Sequence, residues 1–90
     1  MYKKSTLIKN SSGLHARPAS EFIACAKGFT SKISIGRKDS EKKVNAKSII
    51  LLLSLGLSKG EVVEISATGE DEAQSVDTLI DLINEGFGET

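Results

Sequence analysis

The 90-residue chain sets 12 Lys and Arg against 12 Asp and Glu, so its formal charge at pH 7 is zero with the single histidine neutral. That balance argues against a nonspecific nucleic-acid binder, which draws on excess positive charge, and 39% hydrophobic with 27% charged residues is the composition of a folded chain rather than a disordered one. One domain spanning residues 1–90 is expected, near the lower size at which a hydrophobic core suffices without staples. Cys25, the only cysteine, has no partner for an internal disulfide, which suits a reducing cytoplasm better than secretion. It sits in the apolar run 22–26 and reads as a small buried hydrophobe rather than a reactive thiol. The basic start, 1–6, leads into too short an apolar stretch for a signal peptide. The longest apolar run, 49–53, falls far short of the roughly 20 residues that span a bilayer. One His and one Cys also fall short of a usual zinc site, and neither a metal nor an organic cofactor is expected.

Residues 2–9 alternate roughly, with Tyr2, Thr6 and Ile8 on one face, and predict a half-buried first strand that Lys4 and Leu7 interrupt. Asn10-Ser11-Ser12-Gly13 reads as a loop. Ala16, Ala19, Phe22, Ile23 and Ala26 recur at helical spacing, and Gly28 suits a left-handed stop. Ile33 and Ile35 alternate with Ser34 and Gly36, and a polar turn through 37–40 leads to a weakly marked second strand near 42–45. The leucine-rich run 47–55 predicts a short helix stopped by Gly56, although a run so short and apolar fits a strand as well. Val63, Ile65 and Ala67 alternate with Glu64 and Ser66 as a strand. Ala73, Val76, Leu79, Ile80 and Ile83 form a last helical stripe, entered through the acidic residues 70–72 that favour a helix start. The order β-α-β-β-α-β-α, with one-sided alternation in the strands, predicts an α+β fold: an antiparallel sheet with helices stacked on one face.

Gly13-Leu14-His15-Ala16-Arg17-Pro18-Ala19 places the only histidine between a glycine loop and a helix start. Pro18 suits a first helical turn, where its missing N–H was due no intrahelical partner. The free N–H groups and the positive end of the helix dipole at such a start stabilise an anion beside His15. Arg17 adds a permanent cation whose fork matches phosphate oxygens. A neutral imidazole nitrogen is a nucleophile that can take up a phosphoryl group and release it again. The bland reading of the same residues is a loop histidine that packs or caps, at a helix start that attracts anions without function.

The segment 13–19 resembles the active-site signature of the HPr family, the histidine-containing phosphocarriers of the bacterial phosphoenolpyruvate:sugar phosphotransferase system. A second segment, Asn45-Ala46-Lys47-Ser48-Ile49-Ile50 followed by Ser54-Leu55-Gly56, resembles the family's regulatory serine region. The resemblance covers essentially the whole chain and implies an open-faced β-sandwich: a four-stranded antiparallel sheet with three helices on one side. It implies that His15 accepts a phosphoryl group on Nδ1 from phosphorylated enzyme I and donates it to EIIA domains of sugar permeases. By the same resemblance, Arg17 matches the adjacent phosphate-stabilising side chain and Pro18 the helix-start residue of the motif. Ser48 resembles the serine modified by an ATP-dependent HPr kinase/phosphorylase, with a catabolite-control transcriptional regulator as a further partner. A phosphate at the start of the second helix would meet the favourable end of its dipole.

The chain departs from many kinase-regulated relatives, which carry a glycine and methionines where it reads Ile49-Ile50-Leu51-Leu52-Leu53. Ile49, Ile50 and Leu53 are expected to form an apolar docking face near His15, with Leu52 in the core, while Arg17, Lys27 and Lys47 supply a local positive patch for acidic partners. A monomeric carrier is expected, without direct nucleic-acid binding or membrane insertion. Two other classes remain open at this level: a mainly regulatory corepressor acting through Ser48, against which the presence of His15 counts, and a carrier of a nitrogen-related or dihydroxyacetone-kinase branch. The resemblance implies that sugar specificity resides in downstream permease domains.

Overall fold

A computed structural model describes residues 1–89; the terminal Thr90 lies outside the described residues. The chain runs β1 (Tyr2–Leu7), α1 (Ala16–Lys27), β2 (Lys32–Arg37), β3 (Val44–Asn45), α2 (Ile49–Ser54), β4 (Val62–Thr68) and α3 (Glu72–Asn84), ending in a 3-10 turn at Gly86–Gly88. The four strands form one antiparallel sheet in the order β1-β4-β2-β3. The helices stack on one face and give the open-faced α+β sandwich expected.

The alternation in β4 does what its pattern predicts, burying Val63, Ile65 and Ala67 while Val62 and Thr68 stay exposed. β1 pairs with β4 from Tyr2↔Ala67 to Leu7↔Val62, and β2 pairs with β4 from Lys32↔Thr68 to Arg37↔Val63. On the open face the hydroxyls of Ser34 and Ser66 meet across the β2–β4 pair at 2.7 Å. Phe22, Ile8, Leu14, Ile35, Leu52, Leu57 and Ile65 are among the largest fully buried side chains, and they come from every layer. The core is therefore mainly aliphatic, as a chain with only four aromatic residues requires.

Several local expectations are corrected. The first strand ends at Leu7, two residues early, and the second hairpin strand contracts to Val44–Asn45. Lys4 breaks the alternation because its amine reaches Asp77 of α3 at 2.7 Å and lies over the Tyr2 ring, so a cation is tolerated on the helix-facing side. Gly28 ends α1 in right-handed geometry, φ −76° and ψ −5°, not in a left-handed stop. Gly56, at φ +60°, is a left-handed stop after α2. Ala16 and Ala73 are exposed rather than part of their stripes. In α3 the place of Ala73 goes to Ser75, fully buried because its hydroxyl donates to the Glu72 carbonyl at 2.8 Å. The run 47–55 is helical, not a strand, over Ile49–Ser54.

Candidate functional site

His15 is the N-cap of α1, half-buried, with extended backbone at φ −130° and ψ 165°, and its imidazole does not cap the helix. The ring is therefore not spent on closing its own helix. Ala16 follows at φ +51°, a left-handed conformation that costs an alanine on the order of 1–2 kcal/mol. The conformation persists because both sides are fixed. On one side the Leu14 N–H donates to the Leu57 carbonyl at 3.0 Å. On the other, Pro18 and Ala19 are buried in the core side of α1. The Ala19 N–H reaches the His15 carbonyl only at 3.4 Å, so the first turn is loosely closed, and the N–H groups ahead of it have no intrahelical acceptor.

Gly13 has φ +65°, and a Cβ there would stand 2.5 Å from the Leu57 carbonyl oxygen and 2.9 Å from the Ser58 Cα. Only glycine lets the loop before His15 press against the 57–58 backbone. The Asn10 side-chain amide closes the same loop by donating to the Gly13 carbonyl at 2.9 Å.

Arg17 is more than half exposed, yet its fork is held. It donates to the Glu21 carboxylate one turn on and, through Nη2, to the Phe87 carbonyl at 2.9 Å. The Glu89 carboxylate lies 3.7 Å from the same nitrogen. Glu89 also accepts from the Ser12 hydroxyl at 2.9 Å, the Ser12 N–H at 3.2 Å and the Asn10 amide at 3.3 Å. These donors, the Ser12 hydroxyl first, hold its carboxyl below the usual carboxylate range. A carboxylate thus already sits among donors of the His15 loop, evidence that this corner of the molecule accommodates an anion. Sequence reasoning missed Asn10, Ser12 and Glu89; the loop composition of 10–13 was the available signal for the first two.

The residues expected to face partners divide. Ile49, Ile50 and Leu53 are exposed on α2, joined by Leu51, while Leu52 alone turns into the core. α2 packs against α1, whose start carries His15. Ser48 is the N-cap of α2, its hydroxyl accepting the Leu51 N–H at 3.3 Å. Lys47 donates its amine to the Phe29 carbonyl at 2.7 Å, which holds the side chain against the segment that follows α1. Cys25 is half-buried, and burial pushes its thiol pKa up, away from thiolate chemistry. No helix among the described residues is long and apolar enough to cross a membrane.

His15 thus stands at a helix start on a small open-faced sandwich, with Arg17 two residues on. The family model described as "PTS HPr component phosphorylation site" matches residues 2–85. The phosphocarrier protein HPr of Neisseria meningitidis is 44% identical over 89 residues, 99% of this chain and 98% of the relative. The crystal structure of HPr-C-His from Thermoanaerobacter tengcongensis superposes with a TM-score of 0.94 at 48% identity, covering 100% of this chain and 99% of that one. A structure titled HPr dimer from the same organism gives 0.76 at the same identity, over 99% and 100%. The chain belongs to the HPr family, the phosphocarriers of the phosphotransferase system.

Proposed function

We propose that His15 is the phosphoryl-carrying residue of this phosphocarrier. Its neutral imidazole Nδ1 attacks the phosphorus of phosphorylated enzyme I; the P–N bond to His15 forms as the bond to the donor atom breaks. An acceptor atom on an EIIA domain then takes the group by the reverse chemistry. The observation that carries this reading is the uncapped, half-buried imidazole at the N-cap of α1. Unpaired N–H groups of the first turn lie at that helix start, where negative charge is stabilised. Arg17 lends its guanidinium to the added phosphate, and Pro18 sets the first turn that aims the ring.

Docking falls to Ile49, Ile50 and Leu53 with Lys47 at their border, a small exposed apolar face that permits fast release. The protein acts as substrate and donor for its partners, not as an independent turnover catalyst, and works as a cytoplasmic monomer built as a single HPr domain. Ser48 is the site at which an HPr kinase/phosphorylase regulates it, because a phosphate there adds charge at the edge of the α2 docking face. That charge repels acidic partners and recruits a regulator with a basic surface.

The test is labelling from phosphoenolpyruvate through enzyme I. The wild-type chain gains an acid-labile, base-stable phosphate, and His15→Ala gains none. Persistence of the adduct in that variant would overturn the assignment.

A further inference from the structure

Arg37 and Glu61 form a pair that neither the carrier site nor the docking face uses. Arg37 closes β2, and Glu61 stands one residue before β4, at the same end of the sheet. The guanidinium and carboxylate meet through two bonds, Nε to Oε1 at 2.6 Å and Nη2 to Oε2 at 3.1 Å, the bidentate geometry that fixes direction as well as distance. Both groups reach further. Arg37 Nη2 also donates to the Gly56 carbonyl at 3.3 Å, and Glu61 Oε2 accepts the Ser58 N–H at 2.8 Å. One ion pair therefore grips the turn 56–61 at residues 56, 58 and 61.

That turn needs a grip. Gly56 and Gly60 both hold positive φ, at +60° and +93°, with no atom crowding either α-carbon, and glycines leave a backbone free to move. Leu57, fully buried, is its apolar anchor.

The turn is also what the His15 loop leans on. The Leu57 carbonyl accepts the Leu14 N–H at 3.0 Å, one residue before His15. Ile8 and the turn exchange bonds in both directions, Ile8 N–H to the Glu61 carbonyl and Gly60 N–H to the Ile8 carbonyl, each 2.9 Å. Gly13 rests on the Leu57 and Ser58 backbone with no room for a Cβ. At its other end the turn begins where α2 stops, the Gly56 N–H donating to the Leu53 carbonyl at 3.1 Å. The turn thus joins the end of the apolar α2 face to the loop that presents His15.

We infer that Arg37 and Glu61 are positioning residues for phosphoryl transfer: by clamping the turn 56–61 they fix where His15 stands relative to the α2 docking face. The inference rests on the reading of His15 as the phosphoryl carrier. Stability alone is a weak reason for the pair, since both side chains are about a third exposed and such surface pairs contribute little by themselves. Their contribution is geometric, through two backbone ties, to Gly56 and Ser58, on a glycine-rich turn. Arg37 holds the Glu61 carboxyl below the usual carboxylate range, and Glu61 raises Arg37, so the clamp stays charged at neutral pH.

The experiment compares wild type with Glu61→Gln and Arg37→Lys, at a temperature where circular dichroism shows all three folded. Lys4→Met, which breaks the surface pair with Asp77, is the control. Two quantities are read: kcat and KM for phosphorylation by enzyme I, and the hydrogen-exchange rate of the Leu14 amide against that of the Ile65 amide. Glu61→Gln should lower kcat about tenfold with KM unchanged, because docking survives while the reacting atoms are displaced. Leu14 exchange should quicken while Ile65 does not. Arg37→Lys, which keeps the charge and loses the fork, should fall between, and Lys4→Met should match wild type. Unchanged kcat, a rise in KM alone, or equal acceleration at Leu14 and Ile65 would each overturn the inference. A wild-type chain that takes no phosphate defeats the carrier reading instead, and the exchange data then decide the clamp by themselves.

Discussion

The guanidinium of Arg17 donates to the carbonyl of Phe87, 70 residues along the chain, at 2.9 Å. The C-terminal segment is thereby tied to the second residue of α1, and the Arg17 side chain is held in one direction. Arg17→Ala should slow transfer from enzyme I by about 100-fold or more, the range seen when one charge-stabilising donor is removed. The melting temperature should barely change, because the side chain is mostly exposed. Stopped-flow transfer kinetics check the first outcome and thermal melts the second. An unchanged rate would mean that the backbone donors suffice.

Asp71 ties the start of α3 to the α1–β2 connection. It accepts the Ser31 hydroxyl and the N–H groups of Thr30 and Ser31, the latter two at 2.9 Å. These bonds, the Ser31 hydroxyl first, pull its pKa from 3.8 down to about 2. A carboxyl depressed on folding stabilises the protein fully above its unfolded value and loses that contribution as pH falls through its folded one. Asp71→Asn should therefore melt below wild type at pH 7, and the two curves should converge between about pH 3.8 and 2. Melting temperatures across pH 2–7 test this.

Leu52 and Ile50 lie two residues apart on α2 and should behave oppositely. Leu52 is fully buried, so Leu52→Ala should cost about 2–5 kcal/mol in denaturant unfolding. Ile50 is 77% exposed, so Ile50→Ala should change stability by less than about 0.5 kcal/mol while weakening the binding of enzyme I in titration calorimetry. Unchanged affinity would remove α2 from the docking face.

Ser48→Ala removes a helix cap as well as a hydroxyl. Its bond to the Leu51 N–H is long at 3.3 Å, so the cost should sit near the lower end of the about 0.5–2 kcal/mol that such caps contribute. The same variant should lose ATP-dependent, acid-stable phosphate under an HPr kinase. No incorporation into wild type by a cognate kinase would remove the regulatory role.

What was legible in the sequence was local. The loop glycine, His15 and Pro18 lie within one short segment, and their places follow from backbone geometry, so the candidate site is legible there. The β4 alternation and the core side of α1 were legible because apolar periodicity reports burial directly. Ala16 and Ala73 depart from their stripes because alanine fits a buried or an exposed position equally well. Gly28 looked like a left-handed stop, yet right-handed geometry ends α1 without strain. The contacts that hold the candidate site are long-range hydrogen bonds of polar side chains: Arg17 to the Phe87 carbonyl, Ser12 to Glu89, and Arg37 to Glu61. Their partners are set by the packing of distant segments, and no periodicity announces them.

The central claim is that His15 carries the phosphoryl group. The most direct measurement is phosphorus and nitrogen NMR of the chain after phosphorylation by enzyme I and phosphoenolpyruvate. The account predicts one phosphoramidate signal, coupled to Nδ1 of His15 and absent from His15→Ala. A signal on any other residue, or one that survives in His15→Ala, would contradict it.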